Sequence, residues 1–369
     1  MKIIEINKVK DFIALEDTWN KILEQSHNGV FSTWEWLTIW WKHFGKDKQL
    51  LILLAEENSE IIGIAPFMYS VQKVLGIRQG IIEFIGSGNK HSAYLDFIIA
   101  DKHEKCIQMF FEYLHNLSEN WSRVTLVDVP EKGKSLLHLQ KLSPRIEVAH
   151  KCLYVPLPPT YSQLLKNIQP RARKSYRAKL KKLQEDGLKL EFVDYSGVDS
   201  VTEGMNTLVD LHQSRWKTKG SFSGMFSDPS FHRFSVDVAK KFSEKGWLGL
   251  YCLELSGQPV ASTYGFKYKS KYYSNISGLD SAFLQYDIGI LLRFGIINAC
   301  IQSGLVEFDF LWGNDMWKQR FRPIAKRNFN ATILNQDFLS GFKNFFYTKL
   351  FNGSFLLNKR LRKIQSRNR

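Results

Sequence analysis

The sequence predicts an α/β (α+β) fold arranged as two tandem domains, and three observations carry that prediction. Read by hydrophobic periodicity, the chain runs helix, helix, antiparallel strands, helix, strand on both sides of its one proline cluster, Pro156-Leu-Pro-Pro159. A hairpin turn falls at the same place in each half, at Glu57-Asn-Ser-Glu60 and Ser256-Gly-Gln-Pro259. The strands after those turns, Ile61-Ile-Gly-Ile-Ala-Pro66 and Gln258-Pro-Val-Ala-Ser-Thr263, match each other, and 369 residues exceed one ordinary core. The boundaries that follow are 1–158, 159–335 and a basic, aromatic tail at 336–369.

In the first domain, apolar residues on one face predict helices at 11–25 and 33–44. Strands are expected at 50–56, 61–70, 80–85 and 94–99, a helix at 104–118 and a strand at 123–129. In the second, helices are expected at 162–186, 200–219 and 228–245. Strands follow at 248–255, 259–268 and 271–278, then a helix at 288–302 and a closing strand at 306–311.

Composition narrows the function. No run approaches the roughly 18 to 20 apolar residues that span a bilayer, and the N-terminus lacks the apolar core of a signal peptide. The four cysteines have no C-x-x-C spacing and read as buried, reduced thiols of a cytoplasmic protein. Nine scattered histidines show no H-x-x-x-H spacing, so no metal is expected. The net charge of +15 is uneven: eight Lys or Arg and no acid lie between Lys166 and Lys182, and six more lie in residues 358–369. Such blocks imply an anionic partner, whether an acidic carrier protein, a phosphate-bearing ligand, nucleic acid or a membrane surface, unless they are solvated faces. The aromatic and basic mixture of 338–369 also fits peripheral contact with a membrane, and with it the alternative of a non-catalytic, membrane-associated binding module.

The closing strand is the most informative segment. In Glu307-Phe-Asp-Phe-Leu-Trp-Gly313, Phe308 and Phe310 are expected on one face, Asp309 and Leu311 on the other. Trp312, Asp315, Trp317 and Lys318 then crowd one rim past the turn. A carboxylate among core aromatics at a strand end is a candidate site; a capping Asp is the plainer alternative. Upstream, Gln285-Tyr-Asp-Ile-Gly-Ile290 opens a helix after a strand, and helix N-termini attract anions. His212, Arg215 and Trp216 share one helix face, as a groove wall or a core edge. Period-two alternation puts Tyr94 and Asp96 on one strand face, lining a cleft or facing water. Tyr264 is a candidate proton donor or a core tyrosine. Neither G-x-S-x-G nor G-x-x-x-x-G-K-[ST] occurs, which excludes the serine-hydrolase elbow and the P-loop.

Several motifs together resemble the CelD-like GNAT acyltransferases, a group related to the Fem peptidyltransferases. They are Phe31-Ser-Thr-Trp-Glu-Trp36 with Trp40-Trp41, Leu211-His-Gln-Ser-Arg-Trp216, Gly246-Trp-Leu-Gly-Leu250, Tyr264-Gly-Phe266 and Glu307-Phe-Asp-Phe-Leu-Trp-Gly313 with Lys318. The resemblance implies two tandem GNAT-like domains, each a mixed, mostly antiparallel sheet flanked by helices. It also implies acyl transfer from a CoA or acyl-carrier thioester to an amine or hydroxyl, with an amine preferred. An amino sugar or nucleotide-linked sugar of a cell-surface polysaccharide is the implied acceptor. The donor loop would be Gln285, Asp287, Ile288, Gly289, Ile290 and Leu291, with the acyl carbonyl near the strand 273–278. Asp309 is implied as general base, with Lys318 and His212 lining the acceptor pocket; Arg215, Trp216, Trp312, Tyr94 and Asp96, read above from their helix and strand faces and the rim, are further candidates for substrate binding. Arg173 and Arg177 stand where Fem-like relatives contact acceptor phosphates, and the related alternative is an aminoacyl-tRNA-dependent peptidyltransferase. Two departures stand out: the usual [RQ]-x-x-G-x-[GA] loop is not matched, which points to a longer acyl-CoA or an acyl carrier protein, and Trp317 replaces a frequent Tyr.

Overall fold

Strands and helices arise in a computed structural model that describes residues 1–74, 77–88, 92–117, 121–133, 135–142, 145–218, 224–313 and 315–335. The chain begins β1 (Lys2–Ile6), α1 (Val9–Ile13), α2 (Glu16–Glu24), α3 (Trp34–Phe44). It continues β2 (Gln49–Glu57), β3 (Glu60–Val74), β4 (Ile77–Phe84), β5 (Ile98–Ile99), α4 (Lys105–Asn116), β6 (Arg123–Pro130), α5 (Leu136–Leu142) and β7 (Arg145–Pro156). Next are α6 (Tyr161–Asn167), α7 (Pro170–Glu185), β8 (Leu190–Asp194), α8 (Val201–Thr218) and α9 (Pro229–Glu244). The last are β9 (Leu248–Leu255), β10 (Gln258–Tyr268), β11 (Lys271–Leu279), α10 (Ile288–Gln302), β12 (Glu307–Trp312) and β13 (Ile324–Leu334).

These elements form two compact units. Among the described residues, the first holds Met1–Asn28, Gly45–Ala149 and residues 329–335; the second holds Gly29–Phe44 and His150–Asn328. The segment Gly29–Phe44 is early in the chain yet packs in the second unit, through its aromatic face. Trp36 of α3 lies 5.1 Å from Phe234 and 5.4 Å from Phe266, ring centre to ring centre. His43 and Lys42 both reach Asp237 at 2.8 Å.

Within the first unit the strand order is β1-β2-β3-β4-β6, with β5 on β3. Strands β2, β3 and β4 form an antiparallel meander, and β6 runs parallel to β4 over Ile81↔Arg123 and Ile82↔Val124. Within the second unit the order is β7-β12-β11-β10-β9-β8. Strands β8 to β11 are antiparallel neighbours, and β12 runs parallel to β11 over Lys271↔Glu307 to Tyr273↔Asp309. Each unit is therefore a mixed, mostly antiparallel sheet flanked by helices, with one short parallel pair after a helix. The duplication inferred from turn spacing is present in the strand pairing.

Several elements differ from the sequence reading. The single helix expected over 11–25 is two, and that over 162–186 breaks before Pro170, whose ring cannot donate an N–H and pushes Gln169 extended (ψ 132°). Only Ile98–Ile99 of the strand expected at 94–99 pairs, because Tyr94 adopts left-handed backbone (φ 57°). The strands β1, β7, β8 and β13 and helix α5 were not anticipated. Both β1 and β8 are edge strands with one neighbour, and β7 is half-exposed and carries charged residues along its first half, so its apolar alternation is weak. All four cysteines are buried and none is in a disulfide.

Candidate active site

A wedge opens in the second unit where β11 and β12 part. Their parallel ladder has three residue pairs, after which β11 continues to Leu279 and β12 to Trp312. Two irregularities flank the point of separation. Against β10, the register jumps from Gly265↔Ser274 to Tyr264↔Ile276, so Asn275 bulges from the ladder. Against β7, it jumps from Asp309↔Tyr154 to Trp312↔Cys152, and Leu311 between them is left-handed (φ 54°).

The far end of β11 leads into α10. A short 3-10 turn, Ser281–Tyr286, starts at Asp280, whose side chain accepts from the Ala282 N–H at 2.9 Å. Asp287 (φ 57°) then sets the helix start, and its carbonyl accepts from the N–H of Ile290 (2.8 Å) and Leu291 (3.1 Å). The N–H groups of Ile288 and Gly289 precede these and have no acceptor among the described residues. The Asp287 carboxylate caps none of them; it is ion-paired with Arg320. Lys179 donates to the Gln285 carbonyl at 2.5 Å. The side chains of Ile288, Ile290 and Leu291 are buried in the core, so this loop offers an anion only backbone donors and a cationic surround. Gly289 is not left-handed, and a Cβ there would meet the Leu279 methyls at 3.3 Å.

Arg293, one turn into α10, reaches the wedge. Its Nη1 donates to the Gly289 carbonyl (2.9 Å) and its Nη2 to Ser277 Oγ (2.8 Å), which also lies 3.1 Å from Thr263 Oγ1. The Trp317 ring stacks on the guanidinium at 4.4 Å and meets Phe310 edge-on at 5.4 Å. Trp317 therefore links α10 to β12 across the opening.

Lys318 is buried, and its ammonium donates to the carbonyls of Trp312 (2.6 Å), Gly313 (3.1 Å) and Phe310 (3.4 Å). It fastens the turn after β12, and burial lowers its pKa. Asp309 has no solvent-exposed surface; Oδ1 accepts from the Leu311 N–H at 2.7 Å and Oδ2 is 3.5 Å from Lys326 Nζ. Both oxygens are engaged in shaping the strand end, which does not suit the general-base role expected from sequence. Tyr264 is a core residue as well: its hydroxyl donates to the Ser235 carbonyl (3.2 Å), and burial raises its pKa far above the phenol range.

On α8, His212 packs its backbone against β11, where a Cβ on Gly278 would come within 2.5 Å of the His212 nitrogen. Trp216 Nε1 donates to His212 Nε2 at 3.1 Å, which places the imidazole proton on Nδ1, a buried atom without a hydrogen-bond partner among the described residues. Burial pushes the His212 pKa down to about 4. Arg215 lies on the same helix and is half-buried. Trp312 ends β12, stacked on His150 at 5.9 Å, and its buried Nε1 has no hydrogen-bond partner among the described residues.

Other candidates lie elsewhere. Arg173 ties α7 to α6 by donating to the Leu165 carbonyl at 3.0 Å, while Arg177 is exposed. Asp96 and Tyr94 belong to the first unit, and the shared strand face expected for them does not form. The Asp96 carboxylate accepts from the Phe97 N–H at 2.8 Å and from the Ser135 hydroxyl, and burial raises its pKa to about 7. Sequence reasoning missed Asn275, Ser277, Arg293, Arg320 and Lys326. Only Arg293 had a signal, as the single charge in the mostly apolar helix Ile288–Gln302. Among the described residues no His/Cys/Asp/Glu group could hold a metal, and no helix is long and apolar enough to cross a membrane.

Comparison with known proteins gives this geometry a context. Residues 170–319 match the family model described as an acetyltransferase (GNAT) domain. The structure is similar to the crystal structure of FemX, with TM-score 0.64 and 12% identity over 91% of this chain and 98% of that one. It is also similar to the C-terminal domain (DUF2156) of a putative lysylphosphatidylglycerol synthetase from Agrobacterium fabrum, with TM-score 0.53 and 13% identity over 93% and 98%. L-PGS from Bacillus licheniformis gives 0.52 and 11% over 87% and 92%. No match was found among curated proteins. Residues 170–319 of the second unit thus match a GNAT domain model, and the chain shares its fold with FemX.

Proposed function

We propose that this protein transfers an acyl group from a CoA thioester to an amine, as a CelD-like enzyme acting on an amino sugar or nucleotide-linked sugar of a cell-surface polysaccharide. The observation that carries the reading is the wedge between β11 and β12, which leads to the open N–H pair of Ile288 and Gly289 within the matched domain. Those N–H groups, with Arg320 neutralising Asp287, would hold the donor's phosphates. The acceptor nitrogen attacks the thioester carbonyl, the C–S bond breaks, and the thiol leaves. The N–H of Asn275, bulged from the ladder, is the group for the developing oxyanion. Catalysis is by positioning, with the amine proton passing to water, while Asp309 holds the strand end in shape. The loop's departure from the usual GNAT pattern favours a longer acyl-CoA or an acylated carrier protein over acetyl-CoA.

Free-thiol release by the purified full chain, with acetyl-CoA, longer acyl-CoA and acyl-carrier donors, tests this across amino-sugar and nucleotide-sugar acceptors. Release that depends on both donor and acceptor is expected. No release from any combination would remove the proposal. O-acyl transfer is separated from N-acyl transfer by the hydroxylamine lability of the product.

A second reading, aminoacyl-tRNA-dependent transfer, is favoured by one observation. Arg171, Lys174, Arg177 and Lys181 are exposed on α7, which has no acid before Glu185. Phosphate backbones bind such stripes in a salt-dependent way. Absence of tRNA binding at low salt excludes it. The tail 338–369, a candidate for peripheral membrane contact, lies outside the described residues; equal liposome pelleting of full-length and tail-deleted chains would exclude that contact.

A further inference from the structure

Arg293 is a buried cation that forms no ion pair with any described residue. It is 8% exposed, in a helix whose other side chains are almost all apolar. Its contacts with Gly289, Ser277 and Trp317 fix the plane of the guanidinium without balancing its charge. Two of the five N–H donors of an arginine are thereby used, and the buried Nε has no hydrogen-bond partner. Pinning α10 to β11 requires no charge, whereas burying an unpaired ion is strongly unfavourable.

The surroundings make the imbalance larger. Burial, and Arg215 nearby, push the Arg293 pKa down to about 10, and Arg293 in turn disfavours the charge on Lys318. Asp315 opposes them, yet it is 59% exposed and lies 3.4 Å from Lys318. The Lys318 ammonium is occupied by three carbonyls, so it is not available to a ligand. The buried Nε of Arg293 keeps its donor unused, and Trp317 beside it is only half-buried.

We propose that the Nε edge of Arg293, walled by the Trp317 ring, is a subsite for one oxyanion, a carboxylate or phosphate group, of a ligand entering the wedge between β11 and β12. A planar guanidinium fork suits either group in bidentate fashion. The subsite stands on its own geometry; only the identity of the molecule that brings the anion rests on the acyl-transfer reading.

The Nε–Hε resonance of Arg293, assigned by its loss in Arg293→Lys, is followed in the labelled full chain during titration with inorganic phosphate and with acetate. Chloride at equal ionic strength is the control. A saturable shift with phosphate or acetate and none with chloride is expected. Arg293→Gln should weaken the same anion about tenfold to hundredfold, read from the Ser277 and Gly289 amides, with Arg293→Lys between. A resonance unmoved up to about 50 mM, well past a millimolar Kd, would overturn the subsite, as would unchanged affinity in a folded Arg293→Gln. Displacement of the probe by CoA assigns the anion to the donor; CoA binding without displacement assigns it to the acceptor. If phosphate binds there and neither CoA nor an acyl carrier protein binds anywhere, the acyl-transfer reading fails and the subsite stands.

Discussion

Asp309 accepts a 2.7 Å hydrogen bond from the N–H of Leu311, two residues on, and Leu311 holds a left-handed backbone at φ 54°. For a branched side chain that conformation is strained, so the carboxylate stabilises the kink that ends β12. Asp309→Asn keeps an acceptor for Leu311, whereas Asp309→Ala removes it. The expected outcome is that Asp309→Asn retains kcat within about tenfold, while Asp309→Ala loses activity and on the order of 1–3 kcal/mol of stability. Paired kcat and denaturation measurements check this. A folded Asp309→Asn that is inactive would restore the general-base role.

The ion pair between Asp287 and Arg320 gives a second prediction. With Arg320→Gln, an unpaired carboxylate at the start of α10 would repel a phosphate-bearing donor. KM for acyl-CoA should rise a few-fold, the scale of an exposed charge at a helix end, with kcat little changed. Adding Asp287→Asn to Arg320→Gln should restore KM if Arg320 only neutralises. Failure of that rescue would mean that Arg320 itself contacts the donor.

Two glycines close to each other in the fold should respond differently to alanine. At Gly278 a Cβ would lie 2.5 Å from the His212 backbone nitrogen, and neither α8 nor β11 can yield without repacking. Gly278→Ala should therefore cost on the order of 1–3 kcal/mol. At Gly289 the nearest atoms are methyl groups of Leu279 at 3.3 Å, which can move. Gly289→Ala should be folded at near wild-type stability in chemical denaturation, and equal losses at the two positions would contradict the packing described.

His212 fixes a pH dependence. Its pKa is about 4 in the fold against an ordinary value near 6.5, so between those values the folded state binds fewer protons than the unfolded one. The stability it contributes is complete above pH 6.5 and is lost as the pH falls toward 4, by about 3 kcal/mol at most. Asp96, raised to about 7, acts with the opposite slope over much of this range. The measurement is therefore the difference between wild type and His212→Gln from denaturant midpoints at pH 7 and pH 4.5. That difference should shift against wild type at the lower pH; a constant difference would contradict a neutral buried imidazole.

Much of the frame was legible because strong periodicity met clear stop signals. The spans 248–255 and 288–302 agree with β9 and α10 residue for residue, each apolar run being closed by a glycine-containing turn. The half-exposed β7 gave no such contrast, although it supplies β12 with its antiparallel neighbour. The segments worth inspecting were also legible, in Asp287–Leu291 and Asp309–Lys318. The roles within them were not, because they depend on partners far along the chain: Lys326 beside Asp309, Arg320 on Asp287, Ser277 on Arg293. Tyr94 and Asp96 misled for a local reason, since one left-handed residue removed the alternation on which their pairing rested.

The most direct test of the central claim is hydrogen–deuterium exchange of the full chain with and without a saturating acyl-CoA. Protection should appear in peptides covering 273–291, where the Asn275 bulge and the Ile288 and Gly289 N–H groups lie, and should be lost in competition with inorganic pyrophosphate at the α10 start. Exchange there that is unchanged by every acyl-CoA tested, or protection confined to residues 1–28 and 45–149, would contradict the assignment of the thioester site to this wedge.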